Sequence, residues 1–364
     1  MKKLIAIFSI LMVSVAFTAE AQNEIIENTA NSGKLPKNII FMIGDGMGLS
    51  EVYAAYTVSN QQLNITHCDH VALITTYSED NYITDSGASG TALACGTKTS
   101  NGSIGMDSHG KPLTSILKLA ENKGLSTGMV TSCDITHATP AAFMASVKSR
   151  KQRYDIALQF LDTDIDVFVG GGMDNFNKRP DSLNLIDSLT ARGYELITSL
   201  NDLKVSQSPK IAGLLYPAHP PKVSEGRGNM LPIGVEKTIN VLSKNKEGFF
   251  LMVEGSQIDW GGHDNDIDYI LAETLDFDKA VKIALDFART NGETLVVITA
   301  DHETGGMSNL EGNFEEGTAG GKFTTTDHSA VPVPLFATGP GAAEFRGFID
   351  NTDVFKIMRR LLEL

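Results

Sequence analysis

Short apolar runs recur along this chain, and most are followed at once by small or charged residues. The clearest is Thr294-Leu295-Val296-Val297-Ile298-Thr299, whose unbroken apolar character predicts a buried parallel strand. It runs into Asp301-His302-Glu303-Thr304-Gly305-Gly306. Asn38 to Ile43 runs into Gly44-Asp45-Gly46 in the same way, and Phe249 to Val253 into Glu254, then Asp259 and His263. The short segment Tyr82-Ile83-Thr84-Asp85 reads as a further strand-like piece leading to Ser86. Carboxylates and imidazoles just past strand ends occupy the place where open α/β sheets carry their chemistry.

Between these runs the apolar period changes to that of a helix. Leu113, Ile116, Leu117 and Ala120 fall on one helical face, and Gly124 is placed to end it. Thr139-Pro140 predicts a helix start, with a capping hydroxyl and Pro at the first position. Helices are also expected around Ser182 to Arg192, through Val235, Ile239 and Leu242, over Asp266 to Arg289, and through Val354, Ile357, Met358 and Leu361. Strands are expected at Val71 to Thr75, Gly128 to Thr131, Asp166 to Val169 and Tyr194 to Ile197. This alternation predicts an α/β fold, a mostly parallel central sheet sandwiched by helices on both faces. No internal repeat or low-complexity linker interrupts it, so residues 37–364 are expected to form one catalytic domain.

Composition adds a compartment and removes some partners. With 42% hydrophobic and 20% charged residues among 364, the chain can bury a large core and is too apolar for disorder. Lys2 and Lys3, the apolar stretch Leu4 to Phe17 and Ala19-Glu20-Ala21 read as a signal peptide over 1–21, cut after Ala21. A periplasmic or secreted protein is therefore expected, with residues 22–36 a flexible polar lead-in. No later run is long and apolar enough to span a bilayer. A net charge of −14 argues against nucleic acid as the main partner. It is awkward for an anionic substrate too, unless bound cations reverse the local sign. Cys68, Cys95 and Cys133 are too few and too widely spaced for a disulfide framework or a structural zinc site, and read as free thiols.

Asp45, Glu254, Asp259, His263, Asp301 and His302 together predict a site for more than one metal ion, since imidazole suits zinc and carboxylates also suit magnesium. The two glycines inside Asp259-Trp260-Gly261-Gly262-His263 favour a loop that bends both ligands toward one ion. Ser86 lies among small residues at an expected helix N-terminus, where exposed N–H groups favour phosphate. An unactivated Ser is a poor nucleophile, and a neighbouring ion removes that difficulty. Thr84 and Ser89 stay open as competing nucleophiles. His67-Cys68-Asp69-His70 reads as a polar loop, and Gly170-Gly171-Gly172 as a tight turn.

These motifs in this order resemble the alkaline phosphatase family. The matching segments are Gly44 to Gly48, Thr84 to Ser89, His137 to Ala142, Glu254 to Asp259, Asp301 to Gly306 and His328-Ser329, spread over nearly the whole chain. The resemblance implies a phosphomonoesterase with an alkaline optimum, a phosphoserine intermediate on Ser86, two zinc ions and one magnesium. It implies Asp259, His263 and His328 for one zinc, and Asp45, Asp301 and His302 for the other. Asp45, Thr139 and Glu254 would hold the magnesium, and Arg150 would clamp the phosphate. His137 and Trp260 stand where enterobacterial members carry Asp and Lys, so weaker magnesium retention is expected. Both residues are placed beside the substrate. The resemblance also implies a homodimer, and a small crown lobe between His302 and His328. A sulfatase on a related fold is disfavoured, because Ser86-Gly87-Ala88-Ser89-Gly90 lacks the Pro and Arg of a sulfatase nucleophile motif.

Overall fold

The structure, a computed structural model, describes residues 34–364. The expected signal peptide and most of the expected polar lead-in lie outside the described residues. Fourteen strands follow in chain order: β1 (Asn38–Gly44), β2 (His70–Thr75), β3 (Ser126–Asp134), β4 (Val167–Gly171), β5 (Glu195–Ile197), β6 (Ile211–Leu214), β7 (Phe249–Gly255), β8 (Thr294–Thr299), β9 (Glu303–Thr304), β10 (Ser308–Asn313), β11 (Thr318–Lys322), β12 (His328–Ser329), β13 (Val333–Thr338) and β14 (Gly347–Asp350). Ten of them form one sheet in the order β14-β2-β13-β8-β1-β7-β3-β4-β6-β5. All pairings in it are parallel except those of β13, which runs against both β2 and β8.

The runs that form the middle of this sheet are buried on both faces, which is why they show no alternation in sequence. Successive side chains of β7 point to opposite faces. Phe249 meets Phe287 on the helix Ile267–Asn291, at 5.8 Å between ring centroids. Its neighbour Phe250 meets Phe143, at 6.3 Å, on the other side. Helices thus cover both faces of a mostly parallel sheet, as the sequence pattern predicts.

Several local expectations are corrected. Tyr82 to Asp85 is not a strand; Asp85 caps the helix Ser86–Cys95, its carboxylate accepting from Ala88 N at 2.9 Å. Asp259 and His263 lie in a short helix, Ile258–His263, and not in a loop. The glycines there serve packing: a Cβ on Gly261 would meet Ile270 at 2.8 Å, and one on Gly262 would meet Thr304 O at 2.7 Å. Thr139 is not a cap, because the helix Ala138–Ala142 starts one residue earlier, after His137. The helix expected from Leu113 begins at Ile116, behind a Ser115 cap, and ends at Gly124 in the left-handed conformation. Between His302 and His328 the chain holds little more than the antiparallel hairpin β10–β11.

Candidate active site

Four neighbouring strands, β8, β1, β7 and β3, end on the same edge of the sheet and deliver most of the charged residues singled out above. Asp45 follows β1 and is completely buried. Gly46 next to it has φ +75°, and a Cβ there would strike Asp259 Cα at 2.6 Å, so only glycine lets β1 turn this close to the helix Ile258–His263. Glu254, next to last in β7, is in register with Ile43 of β1 and Thr131 of β3. Asp301 and His302 follow β8, and both are fully buried. His328 arrives on β12, paired with Thr304 of β9.

The predicted ligand groups converge. His302 Nε2 lies 3.4 Å from Asp45 Oδ1 and 3.3 Å from Asp301 Oδ2. His263 Nε2 and His328 Nε2 lie 3.4 and 3.5 Å from Asp259 Oδ1. The rings of His302 and His328 stack at 3.5 Å, so the two clusters touch. Thr139 Oγ1 points to Asp45 Oδ2 at 3.5 Å. Ser86 Oγ lies 3.2 Å from His302 Nε2. Arg150 donates to Asp85 Oδ2 at 2.8 Å, and its other nitrogen lies 3.5 Å from His137 Nε2. Trp260, half-buried, stands edge-on to His137 at 6.3 Å. Of the competing hydroxyls, Ser89 donates to Asp301 O at 2.6 Å and Thr84 to Asp85 O at 3.0 Å. Both are committed to backbone, whereas Ser86 faces the cluster.

The electrostatics of this cluster call for cations. Burial, and then the nearby carboxylates of Asp301, Asp259 and Glu254, push the Asp45 carboxyl well above its usual range. Burial and Asp259 push Asp301 up to about 7, and burial raises Glu254. Asp259 moves the other way: against its burial, the bond from His328 and the imidazoles of His302, His328 and His263 hold it low. His328 is raised to about 9, the bond and charge of Asp259 outweighing burial. Asp45 Oδ1, Asp301 Oδ2 and Glu254 Oε1 are buried without a hydrogen-bond partner. Orphaned buried carboxylate oxygens are costly unless a cation meets them, so the residues present fit a set of bound divalent ions.

A pH dependence of ion uptake follows. Protons on groups with raised pKa compete with a metal for the same lone pairs. Asp301 holds its proton below about 7 and His328 below about 9, so affinity for zinc rises as pH climbs from about 6 to about 9. Competition titrations of the metal-free protein at several pH values check this, and a flat profile would contradict it.

Some partners escape sequence reading. Asp85 takes Arg150 and the amides of Ala88 and Gly102. Thr304 donates to Asp259 Oδ1 at 2.5 Å, and Thr131 to Glu254 Oε2 at 2.5 Å. Thr326 O orients His263 and Thr84 O orients His328, at 2.7 and 2.8 Å. Asp85 and Thr304 sit inside the motifs quoted above, which is the only signal they carry; backbone carbonyls carry none.

The chain is similar to several known proteins. The alkaline phosphatase family pattern matches residues 36–320. Alkaline phosphatase 4 of Bacillus subtilis is 33% identical, with 99% of this chain and 96% of the relative covered. Alkaline phosphatase 3 of the same organism is 40% identical over 84% of this chain and 70% of its own length. Among solved structures, alkaline phosphatase from the Antarctic bacterium TAB5 superimposes with a TM-score of 0.86 at 38% identity, covering 91% of this chain and 99% of the other. A variant of that protein has Mg bound in its M3 site.

Proposed function

The chain belongs to the alkaline phosphatase family, and on that premise we propose that it hydrolyses phosphate monoesters through a phosphoserine on Ser86. The observation that carries this reading is the position of Ser86 Oγ, at a helix N-terminus and 3.2 Å from His302 Nε2, beside buried carboxylates that lack partners. Asp259, His263 and His328 would hold one zinc ion, and Asp45, Asp301 and His302 a second. Asp45, Thr139 and Glu254 would hold a third divalent ion, read here as magnesium because the donors are all oxygen. When bound, such ions supply charge that lowers the pKa of a nearby hydroxyl and offsets the phosphoryl oxygens.

The chain's own residues do the rest. The helix Ser86–Cys95 aims its first N–H groups and dipole at the incoming phosphate. Arg150 offers a planar fork to two phosphate oxygens. Asp85 holds that fork in place, and its own carboxyl is kept low by Arg150 against the effect of burial. Trp260 and His137 form the wall beside Arg150 that meets the ester's alcohol group. Activity rises toward alkaline pH, because Ser86 must lose its proton and the ion-binding groups must be proton-free. Among the described residues no helix is long and apolar enough to cross a membrane; export to the periplasm or beyond, and a homodimer, complete the proposal.

Turnover of an aryl phosphate monoester, a diester and a sulfate ester, with zinc and magnesium supplied, tests the reading. The monoester is expected to dominate, with phosphate trapped on Ser86 after acid quench; preferred sulfate or diester turnover would overturn it. Asp85→Asn is expected to loosen Arg150 and raise KM and the inhibition constant of inorganic phosphate by about tenfold, with kcat altered less. Unchanged constants would show that Arg150 is positioned without Asp85.

A further inference from the structure

Gly170-Gly171-Gly172, at the end of β4, seats a loop at the mouth of the site. The loop follows β6, runs from Tyr216 to Pro220 and carries His219. It is pinned on both sides of that residue. Tyr216 O, Pro217 O and Ala218 O accept from the amides of Met173, Asp174 and Gly172 at 3.1, 2.9 and 2.8 Å. Pro220 O accepts from Gln257 Nε2 at 3.0 Å. So close an approach needs glycine: a Cβ on Gly171 would overlap Ala218 O and meet Pro220 Cδ at 2.9 Å. A loop tied in this way holds His219 still, although the residue is exposed.

The ring has a fixed orientation. Its Nδ1 accepts from Asp134 N at 3.1 Å, so the neutral imidazole carries its hydrogen on Nε2. Among the described residues nothing meets that Nε2. The ring stands edge-on to Trp260 at 4.9 Å and to His137 at 5.5 Å. His137 in turn lies 3.5 Å from Arg150. His219 therefore extends the wall beside Arg150 outward. The nearby Arg153 donates to Asp134 Oδ2 at 3.0 Å, so its charge is already matched. This shelf offers an aromatic surface and a neutral N–H, not a spare positive charge. A hydroxyl on a ring-shaped alcohol suits it better than a second anionic group.

We propose that His219 binds the alcohol part of the substrate, its Nε2 donating to a hydroxyl oxygen, so that monoesters of ring-sized polyols such as sugars are favoured over those of plain alkyl alcohols. The inference rests on the phosphomonoesterase reading above and adds a substrate class to it. The hydroxyl lies several bonds from the ester oxygen, since contact from Arg150 to His219 runs through His137. His219 makes and breaks no bond to phosphorus; it sets binding and not the chemical step.

The test compares a hexose 6-phosphate with cyclohexylmethyl phosphate, a ring of similar size without hydroxyls, on the full chain with zinc and magnesium supplied. The wild type is expected to favour the sugar ester about fivefold in kcat/KM, chiefly through KM. His219→Asn keeps an acceptor for Asp134 N but loses the outward donor, and should erase that preference. His219→Gln keeps an outward N–H and should restore part of it. No preference in the wild type, a preference that survives in His219→Asn, or an equal loss on both esters would overturn the proposal. Should His219→Asn fail to fold by circular dichroism, the wild-type preference and His219→Gln decide. Turnover of both esters without preference strikes this inference alone. No turnover of either ester by the wild type strikes the phosphomonoesterase reading, and this inference with it.

Discussion

Ser86→Ala is expected to lower kcat for an aryl phosphate by at least about a hundredfold and to abolish phosphate labelling of the protein. The reason is local. Ser86 carries the hydroxyl that faces His302, while Ser89 and Thr84 donate to backbone carbonyls. Alanine is the best helix former, so the helix Ser86–Cys95 should survive the change. Its Asp85 cap and the Asp85–Arg150 pair are untouched, so substrate should still bind. Activity need not vanish, because water activated in the same site can attack phosphorus directly. Labelling of Ser86→Ala at another residue, with activity retained, would transfer the nucleophile's role to that residue.

Asp45→Asn is expected to have an effect of similar size through a different cause. Asp45 sits between the carboxylates of Asp301, Asp259 and Glu254, with one oxygen unpartnered and the other facing Thr139. Its loss removes a ligand shared by two ion sets, so zinc content should drop and turnover should fall by at least about a hundredfold. The metal-free protein should respond in the opposite sense. The Asp45 carboxyl is raised well above its usual value by burial and by its acidic neighbours, so the fold favours its neutral form. Stability tied to that proton is present below the unfolded-state pKa and is lost as pH rises through the folded-state one. At pH 8 an amide mimics the neutral form, and metal-free Asp45→Asn should melt at the same or a higher temperature than metal-free wild type. A melting temperature lowered in the metal-free state would show that Asp45 holds the fold together in its own right.

The placement of the site was readable because apolar strands end where the charged residues begin. β1, β7 and β8 are unbroken apolar runs, and Asp45, Glu254, Asp301 and His302 follow from their ends. Motif order supplied His328, which periodicity alone would not have placed. Other features were hidden for physical reasons. The glycines after Trp260 read as a bend, yet they are there because Ile270 and Thr304 leave no room for a Cβ. β13 carries Pro334, which removes a ladder donor and argues against an interior strand. Its pairing with β8 starts only at Phe336, past the proline, and Pro334 O accepts instead from Thr299 Oγ1 at 2.9 Å. Cys133 reads as an ordinary buried thiol, because Glu254 meets it only once β3 and β7 are paired.

Anomalous scattering at the zinc edge, from crystals of the full chain grown with zinc, tests the central claim most directly. Two peaks are expected side by side, one among Asp45, Asp301 and His302 and one among Asp259, His263 and His328, the first within bonding reach of Ser86 Oγ. A lone peak, or a serine oxygen with no ion beside it, would contradict the account.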